Sequence, residues 1–125
     1  MSEKTIEFCE EILKKVSRSF ALTIPMLDED IYKEVMITYL QDRLLDNFED
    51  EVKNISLKKR KYLMNRVVDI FAPNYNDNEA VEIIEDKAEL FKDEALKELT
   101  ANASLLKKAY EMLDFEIKEI SYKWL

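Results

Sequence analysis

Apolar residues recur at three- and four-residue steps along most of the chain. Between about Glu3 and Thr23 such steps connect a series of apolar positions, and this spacing places them on one face of a helix. The pattern predicts a first helix that stops before Pro25, because a proline disfavours helical geometry at the residue preceding it. The apolar positions are Ile6, Cys9, Leu13, Val16 and Phe20.

Capping residues predict where the next two helices begin. Asp28 offers a side-chain cap for a second helix that starts near Glu29 and runs to about Glu51. Ser56 can cap a third helix, which leads into the turn-like stretch from Ala72 to Asn78. The apolar positions of the third helix are Leu57, Leu63, Met64, Val67 and Phe71.

The rest of the chain mixes acidic and basic residues with periodic apolar ones, which predicts a fourth helix from Glu79 to about Leu99 and a fifth from about Ala101 to Leu125. The sequence has no glycine and only two prolines. Without glycine the usual tight hairpin turns cannot form, so sheets are disfavoured. We therefore predict an all-α bundle of about five helices, formed by residues 1–125 as a single domain.

Charge and cysteine content exclude several kinds of partner. The chain has 27 acidic and 19 basic residues, for a net charge of −8, and no basic stripe that could bind a nucleic acid backbone.

The single cysteine, Cys9, is at an apolar helix position and is expected to be a buried thiol. With no apolar leader and no run of roughly 18 apolar residues, the protein is expected to be cytoplasmic, with peripheral membrane contact only.

The absence of histidine narrows the candidate chemistry further. Imidazole is the usual general base near neutral pH and the commonest ligand for zinc, so Ser-His-Asp hydrolysis and histidine-bound zinc are excluded. Carboxylates remain as metal ligands, and they favour hard cations such as Mg²⁺.

One side of the predicted second helix concentrates polar chemistry. Tyr39, Arg43, Asp46 and Asp50 follow at steps of four, three and four residues, which places them within about 60° of one another. Two carboxylates one turn apart can hold Mg²⁺, and a nearby arginine can pair with phosphates bound to the ion. Spacing alone leaves an alternative open, a solvated face on which the arginine and the aspartates form ion pairs.

The apolar residues of this helix lie on two sides. Ile37, Leu40, Leu44 and Phe48 cover the side opposite the aspartates, whereas Tyr32, Val35 and Tyr39 extend the acidic side. A helix that is apolar on both sides is expected to be buried on both. Asp46 and Asp50 would then lie at the mouth of an interior cavity, where a metal would relieve uncompensated carboxylates.

Two linked motifs resemble the opening of squalene and phytoene synthases. They are the run Val16-Ser17-Arg18-Ser19-Phe20-Ala21, and Tyr39-Leu40 followed by Arg43-Leu44-Leu45-Asp46-Asn47-Phe48-Glu49-Asp50-Glu51. The resemblance implies the amino-terminal part of the isoprenoid synthase fold. It also implies a head-to-head prenyltransferase that uses Mg²⁺ to ionise farnesyl or geranylgeranyl diphosphate.

The resemblance also implies roles for individual residues. Asp46 and Asp50 would ligate Mg²⁺, Arg43 would pair with the diphosphate, and Phe20 would line the prenyl cavity. Contact with the phosphate or its metal-bound water would come from Ser17, Arg18, Ser19 and Tyr39. For Ser17 and Ser19, local capping of the backbone is an alternative that the sequence leaves open.

The sequence departs from the family pattern in two respects. The second Asp-rich motif is missing, and under half of a usual family chain is present, so we expect a complementary chain or self-association. Two functions then stand side by side: half of a split prenyltransferase, or a non-catalytic binding or assembly module. Gln41 and Asp42 are polar where the family usually has apolar residues, which is expected to expose that flank or to pair Asp42 with a basic residue. The other acidic pairs, which we interpret as solvated helix faces, are Glu82 with Asp86, Glu89 with Asp93, and Glu111 with Glu116.

Overall fold

The computed structural model describes the backbone of residues 2–52, 54–72, 78–123 and 125, and the side chains of these residues except 2, 3, 18, 25, 29 and 30. Most of the turn predicted over 72–78 and the predicted ligand contact of Arg18 therefore lie outside the described part. Within the described ranges the chain forms helices and no β-strand, which confirms the all-α prediction. The eight α-helices there are α1 Ser2–Val16, α2 Arg18–Thr23, α3 Glu29–Asp46, α4 Leu57–Ile70, α5 Asn78–Asp86, α6 Glu94–Ala101, α7 Ala103–Glu111 and α8 Phe115–Lys123.

The predicted first helix is divided at Ser17. This residue has an extended backbone, with φ −156° and ψ 103°, and its side chain caps α2. A 3₁₀ turn, Ile24–Met26, follows α2 and contains the predicted stop at Pro25. Asp28 precedes α3, but its side chain makes no capping hydrogen bond, so that detail of the prediction is wrong. The three- and four-residue periodicity did not reveal the break because the apolar face continues across it.

The later predicted helices also begin near their predicted positions, and two of them are divided into shorter elements. Ser56 caps α4 as predicted, with its Oγ accepting the Lys59 N–H at 3.1 Å. The predicted fourth segment is divided into α5, a 3₁₀ turn at Ala88–Leu90, and α6. Asp93 starts α6 by accepting the N–H groups of Ala95 and Leu96. The predicted fifth segment is divided into α7 and α8.

Helix α3 lies in the middle of the packing, against α1, α4, α6 and α7. Its predicted core face is confirmed, because Ile37, Leu40, Leu44 and Phe48 are all almost completely buried. Burying side chains of this size stabilises a fold by about 1.5–3 kcal/mol each. The core therefore fixes the rotation of α3 and with it the direction in which its polar side points.

The structure also bears on the environment of Cys9 and on whether a helix could span a membrane. Cys9 is fully buried as expected, and its burial raises the pKa of the thiol to about 12. No helix in the described part of the chain combines the length and the apolar character needed to cross a membrane.

Candidate functional site

The aromatic part of the candidate site is formed by α2 and α3. The Phe20 ring lies against the Tyr39 ring, with centroids 4.7 Å apart and planes tilted by 45°. Phe20 can reach α3 because the break at Ser17 turns α2 out of the line of α1. The two predicted residues are therefore brought together, although Phe20 remains 45% exposed.

A groove of about 400 Å³ runs beside this aromatic pair, with walls from α2, α3 and α8. The sequence predicted that α3 would be buried on this side as well, but Val35 is 37% exposed, so within the described residues the side is an open groove. The lining is Phe20, Glu34, Val35, Thr38, Tyr39, Asp42 and Ile117.

The two predicted serines have different surroundings. The Oγ of Ser17 accepts the N–H of Phe20 at 3.3 Å, which is the local capping that the sequence left open as an alternative. Ser19 is exposed, and its carbonyl accepts the Thr23 hydroxyl at 3.0 Å. Ser17 thus has a defined structural role in orienting Phe20, and the Ser19 side chain points to solvent.

Asp46 and Asp50 lie at a change of helix type. Asp46 ends α3, and the residues after it, Asn47–Glu51, form a π-helical turn. Hydrogen bonds in a π turn span five residues rather than four, so the step from Asp46 to Asp50 falls short of a full turn. The aspartates are therefore not aligned as on the regular helix that the sequence predicted; Asp46 is half-buried and Asp50 is exposed.

The π turn has an energetic cost. Asn47 is buried within it, and neither polar atom of its side-chain amide has a hydrogen-bond partner in the described structure. Leaving a buried polar group unpaired costs about 1–3 kcal/mol.

Charges around the two aspartates are unevenly compensated. Arg43 is paired with Glu51, Nη2 to Oε1 at 3.8 Å, and its Nε is buried without a hydrogen-bond partner in the described structure. Among the described residues no basic side chain forms a salt bridge with Asp46 or Asp50. The ion pairs between Arg43 and the two aspartates that this alternative requires are absent among the described residues, whereas Arg43 pairs with Glu51 instead.

The described residues contain no cluster of three or more histidine, cysteine or acidic side chains suited to a metal ion. Mg²⁺ needs fewer protein ligands, since it is commonly bound by one or two carboxylates together with substrate phosphates and water. Asp46 and Asp50 are carboxylates of the type that Mg²⁺ prefers, and neither has a basic partner among the described residues.

Gln41 and Asp42, which depart from the family pattern, differ in burial and in their partners. Gln41 is fully buried, contrary to the expected exposure of this flank, and its Oε1 accepts the Ser121 hydroxyl at 2.7 Å. Asp42 is exposed and has no basic partner among the described residues. Partial burial of its carboxyl, and secondarily the charge of Asp46, raise its pKa above the ordinary value.

A larger cavity of about 650 Å³ lies beyond the π turn, between Glu51 and Leu96. Its lining includes Val52 and Phe91 but neither Asp46, Asp50 nor the aromatic pair. We therefore assign the aromatic part of the candidate site to the smaller groove, because Phe20 and Tyr39 line it; Asp46 and Asp50 line neither cavity.

Sequence reasoning did not assign a place in the site to three residues that contact its members. Asp42 follows Thr38 by four residues, so its place on the groove face could have been found from helical spacing. Glu51 is eight residues after Arg43, and the contact between them spans the end of α3 and the π turn. Ile117 contributes from α8, and no local pattern indicates that contact.

The fold and this side of α3 define a class of all-α proteins with an aspartate-bearing helix next to an apolar groove. A comparison with family models then identifies the family, because the model described as squalene/phytoene synthase matches residues 13–112. The chain belongs to the squalene/phytoene synthase family, as the two motifs predicted.

Two curated relatives are similar to parts of the chain. Squalene synthase BSS of Botryococcus braunii is 50% identical over 46 residues, which are 37% of this chain and 10% of that protein. A squalene synthase of Mus musculus is 33% identical over 78 residues, which are 62% of this chain and 19% of that protein. The matched part thus spans less than a fifth of either relative. No solved structure matches the chain significantly.

Proposed function

We propose that this chain binds a prenyl diphosphate through Mg²⁺ held by Asp46 and Asp50, as one half of a squalene/phytoene synthase-like site for head-to-head condensation. The proposal rests mainly on one observation. Both carboxylates lack a basic partner among the described residues, although Arg43 is one turn away and is held loosely by Glu51.

Each group of the site has a task in this proposal. Bound Mg²⁺ would neutralise charge on the departing diphosphate, which lowers the barrier to ionisation. Arg43 would use its guanidinium donors to orient the same diphosphate. Ser19 and Tyr39 would offer hydroxyl groups to phosphate or to water. Ser17 would act mainly by holding Phe20 in place.

The apolar part of the ligand fits the groove beside Tyr39. Tyr39 precedes Asp46 by seven residues, so it lies about 10 Å away along the axis of α3. A ligand with its diphosphate at Asp46 can therefore extend its chain along α3 over Phe20 and Tyr39. The groove volume of about 400 Å³ falls in the range of ordinary ligand sites, roughly 300–1,000 Å³.

A calorimetric titration of the chain with farnesyl diphosphate, with and without Mg²⁺, tests the proposal. We expect binding only in the presence of Mg²⁺, because the carboxylates and the diphosphate repel each other without it. Equal affinity in both conditions would contradict the metal role, and no binding in either would contradict the proposed function. Release of inorganic diphosphate in the same mixture would separate turnover from binding alone.

The second candidate, a non-catalytic binding or assembly module, has its own support. Asp93, a member of one of the other acidic pairs, is occupied as the cap of α6. The split-site proposal needs a second Asp-rich motif, which we expect a complementary chain to supply. A cytoplasmic location with peripheral membrane contact only remains a prediction.

Exposed apolar side chains between α2 and the start of α3 support the expectation of further contacts. Leu22 and Met26 are 75% and 84% exposed, and Leu27 and Ile31 continue the surface onto α3. Exposed apolar patches on proteins tend to be contact surfaces. We expect the chain to self-associate or to bind complementary helices there. In sedimentation velocity the change of Leu22 and Met26 to serine should reduce self-association, and a concentration-independent monomer for the unchanged chain would contradict the self-association.

A further inference from the structure

Helix α8 forms one wall of the groove and lies outside the part of the chain that the family model matches, which ends at residue 112. Its contribution is Ile117, which is half-buried beside Thr38 and Tyr39. The shape of the groove therefore depends on a helix that family membership does not explain.

Two hydrogen bonds hold α8 in this position. The Ser121 hydroxyl donates to Gln41 Oε1 at 2.7 Å, and both side chains are buried. The second bond joins α8 to α7: the Tyr110 hydroxyl donates to the Lys118 carbonyl at 3.1 Å. A buried hydrogen bond of this kind is costly to break on one side only, because the remaining partner stays desolvated. The pair of Gln41 and Ser121 thus acts as a latch between α3 and α8.

The latch also determines which side chain of α8 enters the groove. Ile117 and Ser121 are four residues apart, so they lie on the same face of the helix, one turn from each other. When Ser121 binds Gln41, Ile117 must face α3 as well. Ile120 is on another face and is 55% exposed.

We propose that Ile117 limits the length of the prenyl chain that the groove accepts, with the latch between Gln41 and Ser121 holding it in place. This inference rests on the proposed function. Ile117 lines the groove together with Tyr39, which lies about 10 Å along α3 from Asp46, so its side chain would fill space that the far part of a longer prenyl chain needs. Truncating Ile117 to alanine extends the apolar space without changing any charged group.

The test compares farnesyl and geranylgeranyl diphosphate by calorimetric titration in the presence of Mg²⁺. For Ile117→Ala, the affinity for the longer ligand relative to the shorter one should increase about tenfold or more, which is the usual effect of matching apolar volume in a pocket. The matched control is Ile120→Ala, which removes the same atoms from an exposed position of the same helix. Its ratio of affinities should equal that of the unchanged chain.

The outcomes distinguish this inference from the proposed function. If the unchanged chain binds neither ligand, the proposed function fails and the role of Ile117 fails with it. If it binds farnesyl diphosphate but Ile117→Ala leaves the ratio unchanged, only the role of Ile117 is overturned. A change of the ratio in Ile120→Ala as large as in Ile117→Ala would also overturn it.

Amide hydrogen exchange tests the latch in the ligand-free chain, and titration tests its effect on the ratio of affinities. Ser121→Ala removes the donor to Gln41 while leaving the rest of the groove intact. Amide hydrogen exchange in α8 should then become faster, and the ratio of affinities should move in the same direction as for Ile117→Ala. Changing both Gln41→Leu and Ser121→Ala should return the exchange toward that of the unchanged chain, since replacing both partners leaves no unpaired buried group. Unaltered exchange in Ser121→Ala would overturn the latch.

Discussion

Replacing Phe48 by alanine is expected to lower the free energy of unfolding by about 3–5 kcal/mol, the usual loss for a buried aromatic side chain. Phe48 is completely buried, and its ring packs edge to face against Phe91 with centroids 5.2 Å apart. It belongs to the π turn that follows Asp46. Urea denaturation followed by circular dichroism measures the change.

The control for this prediction is Phe115→Ala, because the residue type is the same and the ring is 48% exposed on α8. We expect a loss well below that for Phe48. Similar losses for the two variants would contradict the role of Phe48 as an anchor. Phe48 lies in the turn between Asp46 and Asp50. At a temperature at which the Phe48→Ala variant remains folded, we therefore expect its Mg²⁺-dependent binding to be weaker than that of the unchanged chain.

The second large effect concerns the aspartates themselves. Asp46→Asn and Asp50→Asn should each reduce Mg²⁺-dependent affinity for farnesyl diphosphate by at least about 100-fold. Even the loss of a group that only supports a metal ligand costs about 10–100-fold, so the loss of a ligand should exceed it. Titration calorimetry at several Mg²⁺ concentrations measures the change.

Stability measurements separate a metal role from a structural one. Burial and the charge of Asp46 raise the pKa of Asp42, so the ionised Asp42 opposes folding above that pKa and ceases to do so as the pH falls. Asp46→Asn removes one of these causes and should leave stability at neutral pH unchanged or slightly higher.

The matched control is the double change Glu82→Gln with Asp86→Asn on α5, which removes two exposed carboxylates and should leave binding intact. Equal loss of binding in this control would mean that net charge, rather than a metal site, controls affinity.

The strongest sequence signals were those that depend on local spacing. The buried face of α3 and of the turn after it was predicted from the positions of four apolar residues, because a long apolar stripe on a helix packs against the core. These residues are Ile37, Leu40, Leu44 and Phe48. Ser56 was predicted as a cap for the same local reason. Asp28 has the same residue type in a similar position but does not cap α3, so residue type alone does not decide whether a cap forms.

Other features depended on interactions that spacing does not encode. The π turn after Asp46 changes the number of residues per turn, and a pattern based on a regular helix assumes that number. Gln41 looked like a surface residue because its partner, Ser121, is far away in the sequence. The second apolar side of α3 was predicted to be buried, whereas in the described residues it forms an open groove that α8 bounds on one side.

The contact between Gln41 and Ser121 also has a consequence for synthesis of the chain. The two residues are 80 positions apart, so at about 5–20 residues per second α8 emerges roughly 4–16 s after the middle of α3. During that interval Tyr39 and Val35 have no partner on the side that Ile117 later covers. A nascent chain that ends before α8 therefore offers an apolar strip of α3 to chaperones or to other chains, and a late codon pause would prolong that exposure.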